Sequence, residues 1–121
     1  LLSPSGEERT LIRQEEQQLY EYDEYKLQIR RLDFGKKRGI YEFSTYDPET
    51  KDTPPSWGLH PYAEVGVILE GKMEVNLDGT VYLLGPGDSI YIKPNLYHTM
   101  RNAGDTPCRS FWHLQIMDDS V

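Results

Sequence analysis

The chain has a single cysteine, Cys108, in 121 residues, which excludes an intramolecular disulfide. It has no long hydrophobic run either. Its apolar stretches are a few residues each, against the ~20 needed to span a bilayer, so a soluble protein with no membrane partner is expected. The first residues show neither the basic nor the apolar segment of a secretory signal, and a cytoplasmic location is the corresponding expectation. Positive charge is in short supply. Thirteen Lys and Arg stand against 20 Asp and Glu, a formal net charge of -7, which repels a phosphate backbone and argues against DNA binding by this segment alone. Histidine is scarcer still, with three in the chain, His60, His98 and His113.

What is present reads as β-structure. Nine tyrosines, ten glycines and eight prolines, with frequent Val and Ile, describe short strands between tight turns. At this length one domain is expected, burying roughly two thirds of the unfolded surface. The clearest stretch runs from Glu64 to Lys93, punctuated at Glu70-Gly71, Asp78-Gly79, Gly85-Pro-Gly-Asp88 and Pro94-Asn95. Asp78-Gly79 predicts a hairpin, because tight hairpin turns demand positive φ. Met73, Val75 and Leu77 share one strand face, so that strand is half buried. Val65-Gly-Val-Ile-Leu69 is apolar on both faces, which predicts a strand covered by a second sheet.

Upstream, Lys26 to Leu32 and Gly39 to Thr45 read as strands around the basic loop Asp33 to Arg38. Residues 47–56 are a polar, Pro-rich connection, read as a surface loop. Gln14 to Leu19 fits either a helix, by its Glu and Gln content, or an extended arm. Many short strands with regular turns indicate a sandwich or barrel.

Against this background His60, Glu64 and His98 form a candidate metal-ligand set. A divalent transition metal takes imidazole nitrogen and carboxylate oxygen converging from separate segments, and two His with one carboxylate leave positions open for water or ligand. If the chain from 60 to 64 is extended, His60 and Glu64 point the same way. The same alternation places Gly66 and Ile68 on the inward face with Glu64. The alternative is a hydrogen-bonded polar cluster without metal, since buried polar groups need partners. The aromatics Trp57, Tyr62, Tyr91 and Trp112 either fill the core or close a pocket. His113, in Phe111-Trp-His-Leu-Gln115, is expected to pack or reach a polar neighbour, and Asn102 to brace a turn through its side-chain amide.

Two segments carry a family resemblance. Gly58-Leu-His60-Pro-Tyr-Ala-Glu64-Val-Gly-Val-Ile-Leu-Glu-Gly71 resembles the first motif of the cupins, and Gly87-Asp-Ser-Ile-Tyr-Ile-Lys-Pro-Asn-Leu-Tyr-His98-Thr-Met-Arg-Asn102 resembles the second. The likeness is close over residues 57–114 and general over the N-terminal strands. It implies an all-β fold, a small single-domain cupin of the double-stranded β-helix or jelly-roll type, with strands in 1–46, the connection 47–56 and the motifs in 57–114. Anchoring the first motif on Glu64 and Gly71 puts Gly58 where the family has its first histidine. The implied metal set is therefore His60, Glu64 and His98, with Tyr62 or His113 as the only further donors considered, for Zn, Fe, Ni or Mn.

Val67 to Val75 together with Asp78 to Asp88 is similar, more narrowly, to the C-terminal cupin of Xre-type helix-turn-helix transcriptional regulators. That resemblance implies a small-molecule sensor domain forming a homodimer and no enzyme. DNA contact would come through an upstream helix-turn-helix domain absent from this chain, which begins Leu1-Leu2. The expected effector pocket comprises His60, Tyr62, Glu64, Ile68, Tyr91, His98 and His113. The competing reading is a small metal-dependent cupin enzyme, an oxygenase, isomerase or lyase, with Tyr62, Tyr91 or Tyr97 as acid or base.

Overall fold

The computed structural model describes residues 8–35 and 37–116. Leu1, Leu2 and Lys36, on which expectations above rest, lie outside them. The described residues form ten strands, β1 (Gln18–Tyr22), β2 (Leu27–Asp33), β3 (Ile40–Tyr46), β4 (Ser56–Gly58), β5 (Ala63–Glu70), β6 (Met73–Leu77), β7 (Thr80–Leu84), β8 (Ser89–Ile92), β9 (His98–Asn102) and β10 (Cys108–Gln115). They build two antiparallel sheets, one in the order β1-β2-β3-β10-β5-β8 and one in the order β4-β9-β6-β7. This is the expected all-β jelly-roll. The stretch Gln14 to Leu19 divides: Gln14–Glu16 is one 3-10 turn and Gln18 already belongs to β1. The extended arm prevails because β1 gains a full ladder to β2, which a lone helical turn cannot match.

Strand alternation sets the core. Met73 and Val75 of β6, Ile68 of β5, Ile92 of β8, and Cys108, Trp112 and Leu114 of β10 pack between the sheets. At the β6–β7 hairpin Asp78 takes φ 46° and Gly79 φ 102°, and the Gly79 N–H donates to Asn76 Oδ1 at 2.7 Å. Gly71 is needed for another reason. It combines φ 82° with so close an approach to β10 that a Cβ there would stand 2.5 Å from the Pro107 carbonyl oxygen.

One expectation fails on β5. Gly66 and Ile68 face the core, but Val65 and Leu69 are exposed on the outer side of the larger sheet. Only one face is covered, because the second sheet stacks on the inner side alone and nothing described packs on the outer one. The connection 47–56 is a surface loop tied down at its middle: Arg101 bonds Glu49 Oε1 at 3.0 Å and the Thr53 carbonyl at 3.0 Å. Asn102 braces the β9–β10 turn as expected, donating to the Tyr46 and Thr106 carbonyls while its Oδ1 accepts from the Gly104 N–H.

Candidate metal and ligand site

Glu64 is the second residue of β5 and points inward; His98 opens β9, directly opposite Gly58 of β4. His60 lies in the bend between β4 and β5. The extended path expected from 60 to 64 is not what joins it to Glu64. The chain turns at Pro61 and Tyr62, and the His60 carbonyl accepts from the Asn95 N–H at 2.6 Å, which fixes the bend from the neighbouring loop. The three side chains nevertheless converge, with one ligand atom from each lying within 4.8 Å of the others. Glu64 Oε2 is 3.3 Å from His98 Nε2 and 4.0 Å from His60 Nε2.

The hydrogen-bond pattern decides what this cluster can hold. His98 Nδ1 lies 2.9 Å from the Leu96 carbonyl, so in the neutral ring the proton sits on Nδ1 and the Nε2 lone pair faces the cluster. Glu64 Oε2 is buried and has no hydrogen-bond partner. Two lone-pair atoms facing each other in a buried site repel unless a cation or a proton lies between them. Burial pulls His98 down, but the Glu64 carboxylate and the Leu96 carbonyl outweigh it and hold this imidazole above its ordinary value. The donor set suits a divalent transition metal: three ligands of the right chemistry, one oriented by a backbone carbonyl and one an orphaned carboxylate oxygen.

Gly58 completes the picture. A Cβ at this position would stand 2.7 Å from both His60 Nε2 and His98 Nε2. His60 therefore occupies the space that a side chain on Gly58 would enter, and the position cannot add a fourth donor while His60 stays.

A cavity of about 480 Å³ opens beside the cluster, lined by residues of both sheets, the edge strands β1 and β4 among them. Of the residues expected to line it, His60, Tyr62, Glu64 and His98 do. Tyr62 stacks on His60 with ring centroids 5.0 Å apart. Burial, then the carboxylates of Glu64 and Glu42, push its phenol above the ordinary value. Three others do not line it. Ile68 is closed into the core beyond the cavity, and Tyr91 points outward from β8 with half its surface exposed. His113 stands on the outer face of β10, stacked on Tyr41 at 4.8 Å. Trp112 and Leu114, its neighbours on β10, turn inward instead, because side chains alternate along a strand. His113 is thereby removed as a metal donor. Trp57 is largely exposed at the cavity mouth, whereas Trp112 fills the inner wall.

The lining residues that were not anticipated include two charged ones. Arg31 of β2 and Glu42 of β3 face each other in register on the inner wall, with Arg31 Nη2 and Nε at 2.6 and 2.8 Å from Glu42 Oε2. Their signal in the sequence was a charged residue at an inward alternation position of each strand, after Leu27 and Ile29 on β2 and after Ile40 on β3. The model of the cupin domain family matches residues 42–114, more than half of the chain. The chain belongs to the cupin family. Polyketide synthase CurC from Streptomyces cyaneus is 39% identical over 56 residues, covering 46% of this cupin and 36% of that protein. The chain thus spans about a third of that relative's length. Among solved structures, FeII HppE superposes with a TM-score of 0.77 at 15% identity, covering 93% of this chain and 65% of the other. The cupin domain of an XRE-family transcriptional regulator from Enterobacter cloacae gives 0.67 at 14% identity, covering 77% and 99%. At these identities the likenesses establish the fold, which hosts unrelated functions.

Proposed function

We propose that this cupin binds a small-molecule effector beside a divalent transition metal, Zn, Fe, Ni or Mn, held by His60, Glu64 and His98. In this reading it serves as the sensor domain of a longer transcriptional regulator whose DNA-binding segment lies upstream. The observation that carries the binding site is Glu64 Oε2, buried without a partner and facing two imidazole nitrogens at the wall of a cavity. A metal there would supply a Lewis-acidic centre with positions open to an oxygen ligand.

Sensing is favoured over turnover by the other groups around the cavity. Tyr62 is held above its ordinary value, so its phenol stays protonated near neutrality and donates a hydrogen bond rather than abstracting a proton. Arg31 and Glu42 neutralise each other. Among the described residues lining the cavity, the only His or carboxylate outside the three candidate ligands is Glu42, which is paired with Arg31, so no free general base faces the site. The acid or base role considered for Tyr91 and Tyr97 has no support, since Tyr91 faces outward and Tyr97 is exposed and lies against Trp57.

The homodimer has its own support. On the outer face of the larger sheet Tyr41, His113, Val65 and Tyr91 stand in one register row and Phe43, Phe111 and Val67 in the next. No acidic side chain interrupts either row in a chain of net charge -7, and large apolar patches mark interaction surfaces. The second reading, a metal-dependent enzyme, is favoured by the open side of the triad facing the cavity.

Metal analysis of protein purified without chelator tests the proposal. A stoichiometric metal that disappears in His98→Ala, with sedimentation showing a dimer, is the expected result. Absence of metal after loading removes the site, a monomer at tens of micromolar removes the dimer, and a chemically altered ligand after incubation with loaded protein replaces sensing by catalysis.

A further inference from the structure

The cavity contains a second polar point besides the metal triad, and the two together restrict what can fill it. An ion pair on a half-buried wall is costly to desolvate, and a pair of apolar residues would pack there at least as well. Arg31 nevertheless directs Nε and Nη2 at a single oxygen of Glu42. Arg31 Nη1 and Glu42 Oε1 make no hydrogen bond among the described residues; with the Nε–Nη2 edge turned to Glu42, Nη1 lies on the far side of the guanidinium and Oε1 is left as a free acceptor held in place by Arg31. Tyr20 lies against the guanidinium, 5.6 Å from ring centroid to Cζ, and holds it in place.

The wall between these two points, formed by Trp112, Leu114 and Met100, is apolar in effect. The polar atoms of Tyr46, Ser56 and Trp112 are already paired, Tyr46 with Ser56, Ser56 with the Met100 carbonyl, and Trp112 with Ser110, while the hydroxyls of Ser44, two residues beyond Glu42 on β3, and of Tyr62, stacked on His60, lie at the two ends of the stretch. A ligand whose middle carries hydroxyls would bury them unpaired against Trp112, Leu114 and Met100, so the middle must be apolar. Its length follows from the register. Glu64 is opposite Leu114, Leu114 is opposite Ile40, and Glu42 is two residues further along β3. Two strand spacings across and two residues along put their Cα atoms about 12 Å apart on a flat sheet, so a six-membered ring suits the gap better than a short aliphatic acid. Charge sets the last condition. Glu64 and Glu42 bring two negative charges, Arg31 one positive and a divalent ion two, which leaves one positive charge for a monoanion to neutralise.

We propose that Arg31 and Glu42 form a second ligand-anchoring point and that the effector is a hydroxyaryl carboxylate. Its carboxylate lies at the His60, Glu64 and His98 end, its ring lies between the apolar walls, and its hydroxyl donates to the free Oε1 of Glu42, which Arg31 holds in position. This assignment rests on the metal-binding reading above. Titration of the Co2+-loaded chain with 4-hydroxybenzoate and with benzoate, followed by calorimetry and by the visible Co2+ spectrum, tests it.

In the wild type 4-hydroxybenzoate is expected to bind about 10-fold or more tighter than benzoate, as for a hydrogen bond to charged groups. In Arg31→Met/Glu42→Met that preference falls to near unity while Co2+ affinity is unchanged. Arg31→Lys, which keeps the charge and the fold but not the planar fork, reduces the preference as well. Equal affinity for the two probes in the wild type, no response to either probe, or a preference that survives the double substitution overturns the ligand assignment and leaves the metal site standing. Failure of Co2+ to bind overturns both.

Discussion

Replacing Gly58 by alanine should separate metal binding from folding. Gly58 ends β4 with an ordinary extended backbone, so alanine meets no conformational penalty there. Its Cβ, however, would lie 2.7 Å from Nε2 of both His60 and His98 and 3.0 Å from His98 Cε1. Van der Waals contact between carbon and its neighbours falls near 3.5 Å, so each imidazole must retreat by about 0.8 Å. A metal site tolerates about 0.2 Å in its ligand distances, and a fall in metal affinity of at least about 100-fold follows. His98 has little room to yield because its Nδ1 is held by Leu96. His60, in a loop and about a third exposed, will swing outward and relieve most of the strain, which keeps the stability cost near 1 kcal/mol, at the low end for overpacking. Calorimetric titration with Zn2+ and urea unfolding of the metal-free protein measure the two effects separately. Wild-type Zn2+ affinity in Gly58→Ala would refute the geometry on which the site is built.

Two further predictions concern the scaffold. Gly66 lies opposite Trp112 in the β5–β10 register, and a Cβ on it would stand 2.4 Å from the indole Cε3; the indole is buried and tied to Ser110. Gly66→Ala should therefore destabilise the fold by about 3 kcal/mol in urea unfolding, and a loss under about 1 kcal/mol would show that the sheets yield more easily than their packing implies. Cys108 is fully buried and its thiol is pushed up to about 11, by burial first and then by the Glu70 carboxylate. The raised value favours the folded state below the thiol's unfolded value, and that contribution is lost as pH rises from about 9 towards 11. Stability should fall over that window more steeply than in Cys108→Ala, and alkylation by iodoacetamide at pH 8 should proceed only through unfolding; fast alkylation of the native protein would contradict the burial.

Much of the β-structure was legible because alternation is a local property. Met73 and Val75 declare their common face in five residues, and Asp78-Gly79 declares its turn in two. The convergence of His60, Glu64 and His98 was legible through motif spacing, though the expected route was wrong. The bend at 60–62 depends on a bond from Asn95, and no local pattern in His-Pro-Tyr-Ala-Glu records it. On β5 the alternation assigned Gly66 and Ile68 to the inward face correctly but could not say whether anything covers the other face, where Val65 and Leu69 stand. The same blindness misplaced Tyr91 and His113, whose residue types suit a pocket and whose side chains point out of the sheet. Arg31 and Glu42 were missed because their pairing is a matter of register between strands.

Sequence alone determined the all-β fold, the hairpin at Asp78-Gly79 and the candidate His, Glu and His set at 60, 64 and 98 with glycine at 58, since each rests on residue chemistry and short-range spacing. Tertiary structure decided which sheet face is bare, that His60 fills the space beside Gly58, and that an ion pair shares the cavity with the triad. These last depend on how two sheets stack and where strands fall in register, and such long-range relations leave no periodic trace along the chain.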